Sequence, residues 1–209
     1  MSGRDELDQQ SIGDFLGQLA ARMAAPGAGA TAAVEAALSA SLVAMVGRFT
    51  KDEEHADVVG EIVAAADVHR DACLEAAADD EAAFSAVASA MKMPRGTAEE
   101  KEMRRRRLSE VSLDATRPPL AVLASAAELV ALARRVLPIA NRNLISDVAA
   151  ATAAARAAAT TARLAVEANL PGIDDEAAKA DLVAAVTIVE DLVRRADEVE
   201  AEVRQKMRR

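Results

Sequence analysis

Ala140-Asn141-Arg142-Asn143-Leu144-Ile145-Ser146-Asp147 gathers two carboxamides, a guanidinium, a hydroxyl and a carboxylate, straight after the turn signal Leu137-Pro138. The run that follows, Val148 to Ala153, is rich in alanine and reads as a strong helix. Polar side chains therefore collect at a helix entrance, where backbone N–H groups lack partners and the helix dipole is positive. Such a place can hold an anion or a reaction centre that develops charge. Capping alone would need one of Asn141, Asn143 or Ser146, and the segment offers several. Pro26-Gly27-Ala28-Gly29 stands before another helical run, and its glycines would let backbone approach a ligand closely. It has neither the preceding strand of a dinucleotide fingerprint nor the lysine of a P-loop. Asp79-Asp80 interrupts an apolar helical run four residues before Phe84, as an N-cap for a restarted helix or as a functional acid. The two histidines, His55 and His69, share no metal-ligand spacing with each other or with Cys73, and no nucleophile elbow is present. Acid–base chemistry in this chain would fall to carboxylates.

The helices that must carry these groups are unusual in composition. Of 209 residues, 52% are hydrophobic but only 1% aromatic, so most of the apolar content is alanine, with valine and leucine behind it. Alanine lets helix axes approach closely yet buries little area per residue, so stability must come from long interfaces and a homodimer is expected. A net charge of −9 argues against a general nucleic-acid binder. The Arg104–Arg107 run points all round a helix and reads as a solvated segment paired with Glu99, Glu100, Glu102 and Glu110. Cys73 falls on a helical spacing with Ile62, Ala66 and His69, which predicts a buried, reduced thiol. With no signal-peptide pattern at the start and no charge-free apolar span, the expectation is a soluble cytoplasmic protein without a membrane partner.

Helical periodicity and punctuation divide the chain into long helices. Ser11-x-x-Asp14 opens one whose face carries Ile12, Phe15, Leu16, Leu19 and Met23, and Pro26 to Gly29 ends it. A central helix follows with Val34, Leu38, Leu42, Met45, Val46 and Phe49. Thr97-x-x-Glu100 caps a segment that Pro118-Pro119 must break. Asn169 to Gly172 turns the chain into one long terminal helix from Leu182 to Val203. No segment has the period of a strand. The expected architecture is all-α, an up-and-down bundle of long antiparallel helices at residues 11–209, preceded by a disordered tail at residues 1–10.

Several short blocks recur in a fixed order: Phe15-Leu16 with Pro26-Gly27-Ala28-Gly29-Ala30, Asp80-x-x-Ala83-Phe84-x-x-Val87, and Met93-Pro94-Arg95-x-Thr97-x-Glu99-Glu100-Lys101. Pro119-Leu120, Asn141-x-Asn143-x-x-Ser146-Asp147 and Asn169-Leu170 complete the series. In these blocks the chain resembles the cyclodeaminase half of formiminotransferase-cyclodeaminase and its stand-alone relatives, which include methenyltetrahydrofolate cyclohydrolases. The resemblance runs from about Ser11 to Val203. It implies an all-α dimer with a folate cleft at or near the subunit contact, and a reduced folate as substrate with no separate cofactor or metal. It further implies that Asp80, Asn141, Asn143 and Asp147 form the polar, catalytic lining. Gly27, Gly29, Arg95, Arg142 and Ser146 would bind substrate. The chain departs from the family at Ala28 and Ala140, where glycine is usual. Cyclodeamination of 5-formiminotetrahydrofolate and hydrolysis of 5,10-methenyltetrahydrofolate both fit these motifs, and a non-catalytic helical dimer remains a third reading. Folates can carry several glutamates, so Arg95, Lys101 and Arg105 are expected to share a face that guides the tail.

Overall fold

The computed structural model describes residues 10–51 and 53–208, so of the expected N-terminal tail all but Gln10 lies outside the described residues. Among the described residues there are helices and no strands, as expected. They run α1 (Ile12–Ala20), α2 (Ala28–Phe49), α3 (Ala56–Met91), α4 (Ala98–Asp114), α5 (Arg117–Val136), α6 (Ile145–Asn169), α7 (Glu176–Ala185) and α8 (Ile188–Met207). Short 3-10 turns at Arg142–Leu144 and Leu170–Gly172 bracket α6.

Helix α2 lies at the centre and packs on α3, α5 and α6, while α6 packs also on α5 and α8. Small side chains make this possible. Ala30, Ala32, Ala33, Ala36, Ala40 and Ala44 of α2 are fully buried, and so are Ala151, Ala155, Ala158, Ala159 and Ala162 of α6. At Gly47 a Cβ would stand 2.6 Å from a methyl of Val63, so the α2–α3 contact admits no side chain there. Helix α2 is also long and apolar enough to cross a membrane by composition, but 61% of that stretch is buried inside the bundle. Its apolar surface is largely core.

Cross-links between helices fix their directions. Asp80 meets Ala30 and Val63 meets Gly47, so α3 runs antiparallel to α2. Thr161 donates to Glu35 at 3.1 Å while the turn before α6 meets Thr50, so α6 is antiparallel to α2 as well. Arg156–Asp197 and Arg163–Glu190 pairs run α8 back along α6. Beyond Asp80, α3 continues another three turns past the start of α2, about 16 Å at 1.5 Å per residue. Helix α4 folds back on this overhang, where the Arg104 guanidinium donates to the Met91 carbonyl at 3.2 Å. The turn after α6 docks on α4: Asp174 N–H donates to Ser109 Oγ at 2.8 Å, and Gly172 leaves no room for a Cβ beside Ser112.

Three expectations are corrected. Asp79-Asp80 does not interrupt a helix; α3 runs through it unbroken. The terminal helix is two, α7 and α8, because Val186 and Thr187 turn the chain. There the Thr187 hydroxyl donates back to the Ala184 carbonyl and replaces a continued helical ladder. Of the apolar face expected on α1 only Phe15 is buried; Ile12, Leu16 and Met23 stay exposed. The prolines behave as expected, filling the first positions of α5 where no N–H is needed. Thr97 and Glu100 form the full capping box of α4.

Candidate active site

The Asp80 carboxylate is the best-defined candidate group. Helix α3 delivers it from mid-helix to the start of α2, where Ala30 N–H donates to Oδ2 at 3.1 Å. It lies so close to Gly29 that an added Cβ would fall 1.9 Å from Oδ1. Gly29 is thus glycine because the carboxylate occupies the place of its side chain. Asp80 caps a helix fifty residues away rather than its own. Burial pushes the carboxyl above the ordinary aspartate range, with the Ala30 hydrogen bond pulling partly against it. A carboxyl that is desolvated yet tied to a backbone donor is suited to hold or release a proton beside a developing cation.

Its neighbours follow from the helix directions. Gly27 is the N-cap of α2, with nothing within 4 Å of an added Cβ. Ala28, where the family usually has glycine, is exposed. Phe84 lies one turn beyond Asp80 on the overhang and is 45% exposed, an apolar platform beside the carboxylate. Asn169, at the end of α6, turns its amide back to the Ala165 carbonyl at 2.9 Å. Glu35 was not singled out by motif or spacing, although it is the lone acid in α2. It is half-buried about 8 Å along the helix from Ala30, and desolvation raises its carboxyl too, partly offset by the Thr161 hydrogen bond.

The Asn141–Asp147 block is elsewhere. Asn141 Oδ1 accepts the Asn143 N–H at 3.0 Å and so caps the 3-10 turn, while its amide reaches the Phe49 carbonyl and its backbone N–H reaches Thr50 Oγ1, each at 3.4 Å. Those partners are the far end of α2. Asn143 and Arg142 are exposed, Asp147 is half-buried in the first turn of α6, and Ser146 faces a groove shared with Val203 and Arg204 of α8. From Ala30 to Phe49 the helix rises about 28 Å. Within one chain, therefore, Asp80 with Gly27 and Gly29 stands at one end of the bundle, and Asn141, Arg142, Asn143, Ser146 and Asp147 stand at the other.

The basic run is a solvated helix as expected, but of its four expected partners Glu102 and Glu110 form the ion pairs among the described residues, while Glu100 caps α4. Arg105 and Arg106 pair with Glu102, Arg107 pairs with Glu110, and Arg105 also reaches Asp174. Arg105 is thereby withdrawn from the face proposed for a glutamate tail. Arg95 and Lys101 remain exposed with no ion pair among the described residues, as does Lys92. Cys73 is buried as expected, its thiol pushed up to about 11 by burial, and His69 Nδ1 meets Ser125 Oγ at 3.2 Å between α3 and α5. Among the described residues no group of His, Cys, Asp or Glu is arranged to hold a metal ion.

Fold and site define an all-helical bundle protein with a desolvated carboxylate held against a glycine at a helix start. Residues 11–187 match the family model described as formiminotransferase-cyclodeaminase, and the chain belongs to that family. It is 40% identical over 100 residues to the methenyltetrahydrofolate cyclohydrolase of Methylorubrum extorquens, an alignment that takes in 48% of either chain. The crystal structure of formiminotetrahydrofolate cyclodeaminase from Thermotoga maritima superposes with a TM-score of 0.81 at 24% identity, over 95% of this chain and 99% of that one. That likeness establishes the shared fold.

Proposed function

We propose that this protein is a folate one-carbon enzyme acting at the carbon that bridges N5 and N10 of tetrahydrofolate. The observation that carries the reading is Asp80, a half-buried, desolvated carboxylate seated on Gly29 at the family's glycine-rich turn. In cyclodeamination, N10 attacks the formimino carbon of 5-formiminotetrahydrofolate and ammonia leaves, giving the 5,10-methenyl ring. In the hydrolytic reaction, water adds to the methenyl carbon and the bond to N5 breaks, giving 10-formyltetrahydrofolate. Both pass through a tetrahedral carbon beside a cationic nitrogen. A carboxylate there stabilises the charge and carries the proton between nitrogen, water and leaving group. Carboxamides such as those of Asn141 and Asn143 suit the pterin's donors and acceptors.

Cyclodeamination is the reaction for which the family is described. The cyclohydrolase reading has a specific observation in its favour, the 40% identity to the Methylorubrum extorquens enzyme. Absorbance of the methenyl chromophore separates them by sign: it rises with the formimino substrate for the first and falls with the methenyl substrate for the second. No change with either, together with no binding of reduced folates in a titration, would leave a non-catalytic helical module as the surviving reading. We place the protein in the cytoplasm, where Cys73 stays a thiol.

A folate with its reacting end at Asp80 would extend along the overhang, whose α3 end lies about 16 Å beyond Asp80, toward Arg95 and Lys101, which have no ion pair among the described residues. Reversing both charges (Arg95→Glu with Lys101→Glu) is expected to weaken a polyglutamylated folate by roughly tenfold and the monoglutamate far less, with the gap closing at high salt. Equilibrium titrations at two ionic strengths check this. Equal weakening of both ligands would remove the tail from this face.

A further inference from the structure

We infer that Phe84 is a stacking platform for substrate: its phenyl ring receives the aminobenzoyl ring of the reduced folate, on the N10 side of the carbon at Asp80. The inference rests on the folate reading above and starts from a change of exposure along one helix face. Below Asp80 the inward face of α3 carries Ile62, Ala66 and Cys73 at spacings of four and seven, each buried in the bundle. Above it the same spacing continues through Phe84, Val87 and Met91, yet Phe84 is 45% exposed and Met91 60%. The break falls at Asp80 because α2, which packs on α3 lower down, begins at Ala28 beside it. A core-type stripe therefore runs on past its cover.

What covers the stripe follows from the order of groups along it. Asp80 stands at the start and Phe84 one turn on, about 6 Å up the helix. Arg95 and Lys101 follow beyond the end of α3, with no ion pair among the described residues. A reduced folate presents the same order: a reacting carbon between N5 and N10, an aromatic ring on N10, and glutamate carboxylates at the far end. The cations complement the carboxylates and so set the direction of the molecule. With that direction fixed, N10 points up the overhang and the aminobenzoyl ring meets Phe84, while the pterin lies on the other side of Asp80. Gly27, the N-cap of α2, has nothing within 4 Å of an added Cβ, so open space adjoins the start of that helix. The chain has three phenylalanines and no other aromatic residue, which makes a ring one turn from the acid a scarce group. Offset or edge-to-face contact between two rings gains more than the apolar area alone. Leucine would supply the area without the ring.

Two measurements test the assignment. In the first, equilibrium dialysis with 5-formyltetrahydrofolate compares wild type, Phe84→Leu and Phe84→Tyr. Affinity is expected to fall roughly three- to tenfold in the leucine variant and to return in the tyrosine variant. Phe84 is half exposed, so both variants should fold, and urea midpoints check that they do. In the second, the absence of tryptophan and tyrosine makes Phe84→Trp a variant with a single fluorophore. Its emission is expected to be quenched by 5-formyltetrahydrofolate. That of Val68→Trp, exposed on α3 about 18 Å below Asp80, should not be. Of the two halves of the ligand, p-aminobenzoylglutamate should quench the Phe84→Trp variant at lower concentration than a tetrahydropterin. Equal or reversed potency puts the pterin, or neither ring, on the platform and overturns the assignment. So does unchanged affinity in Phe84→Leu. Emission of the Phe84→Trp variant that shifts with protein concentration alone would give the face to a second copy, and overturns it too. Wild-type protein that does not bind 5-formyltetrahydrofolate in dialysis sinks the folate reading itself, whereas binding without quenching sinks this inference alone.

Discussion

Replacing Asp80 with asparagine is expected to lower turnover on the order of 10²-fold or more while leaving the protein as stable as before, or more so, at neutral pH. The amide keeps the size and can still accept the Ala30 N–H, so α2 keeps its cap. What disappears is a desolvated charge. The sign of the pH dependence follows from the raised carboxyl. A folded-state value above that of the unfolded chain means that stability is full below the unfolded pKa and is lost as pH rises through the folded pKa. Wild type and variant should therefore unfold at nearly the same urea concentration at about pH 3, below the ordinary aspartate range, and diverge in the variant's favour by about pH 7. Turnover measured alongside the two unfolding midpoints checks both halves. A variant that is destabilised at neutral pH would make Asp80 a structural cap, and one with normal turnover would remove it from the chemistry.

Gly29→Ala should come close to the same loss by a different route. The new methyl would sit 1.9 Å from Asp80 Oδ1 and 2.3 Å from Cγ, distances no packing tolerates. Either the carboxylate swings away and the Ala30 hydrogen bond breaks, or α2 and α3 separate at that end. Overpacking of this kind costs about 1–3 kcal/mol, and a misplaced acid costs about 10²-fold in rate. Gly27→Ala is the matched control two residues away. Nothing lies within 4 Å of its Cβ, and no described glycine has a positive φ, so its stability should stay near wild type. Equal damage from the two substitutions would show that the turn, and not the seat of Asp80, is what matters.

Much of the fold could be read from the residues because each signal was local. The Thr97–Glu100 capping box, the prolines that open α5 and the alanine runs of α2 and α6 each determine their own neighbourhood. Where the signal was not local, reading along the chain failed. Asp79-Asp80 looks like a helix break because two acids sit among alanines, yet Asp80's partner is the start of α2, fifty residues earlier. Val186 and Thr187 continue the apolar spacing across a turn, so periodicity joined what backbone geometry separates. The exposed face of α1 has the pattern of a core helix, since spacing records amphipathicity and not whether a partner helix is present. The residues of the candidate site were legible as types, but their distribution between two ends of a bundle was not. Motif order along a chain says nothing about which end of a 28 Å helix each motif reaches.

The overhanging hairpin of α3 and α4 has a thermodynamic character of its own. Within α4 only Val111 and Ser112 are buried, and Met91 and Met103 near the tip are largely exposed. The rest of its hold is a capping box, a few hydrogen bonds to Met91 and from Asp174, the seat of Gly172 on Ser112, and ion pairs open to water that contribute little. Its opening free energy must lie well below that of the alanine-packed α2–α6 pair, so the molecule has two grades of cooperativity rather than one. The tip can fray and reclose many times while the bundle stays intact. An anionic ligand held by Arg95 and Lys101 would contribute its binding energy to that local equilibrium, ordering the least protected part of the protein without repacking its core.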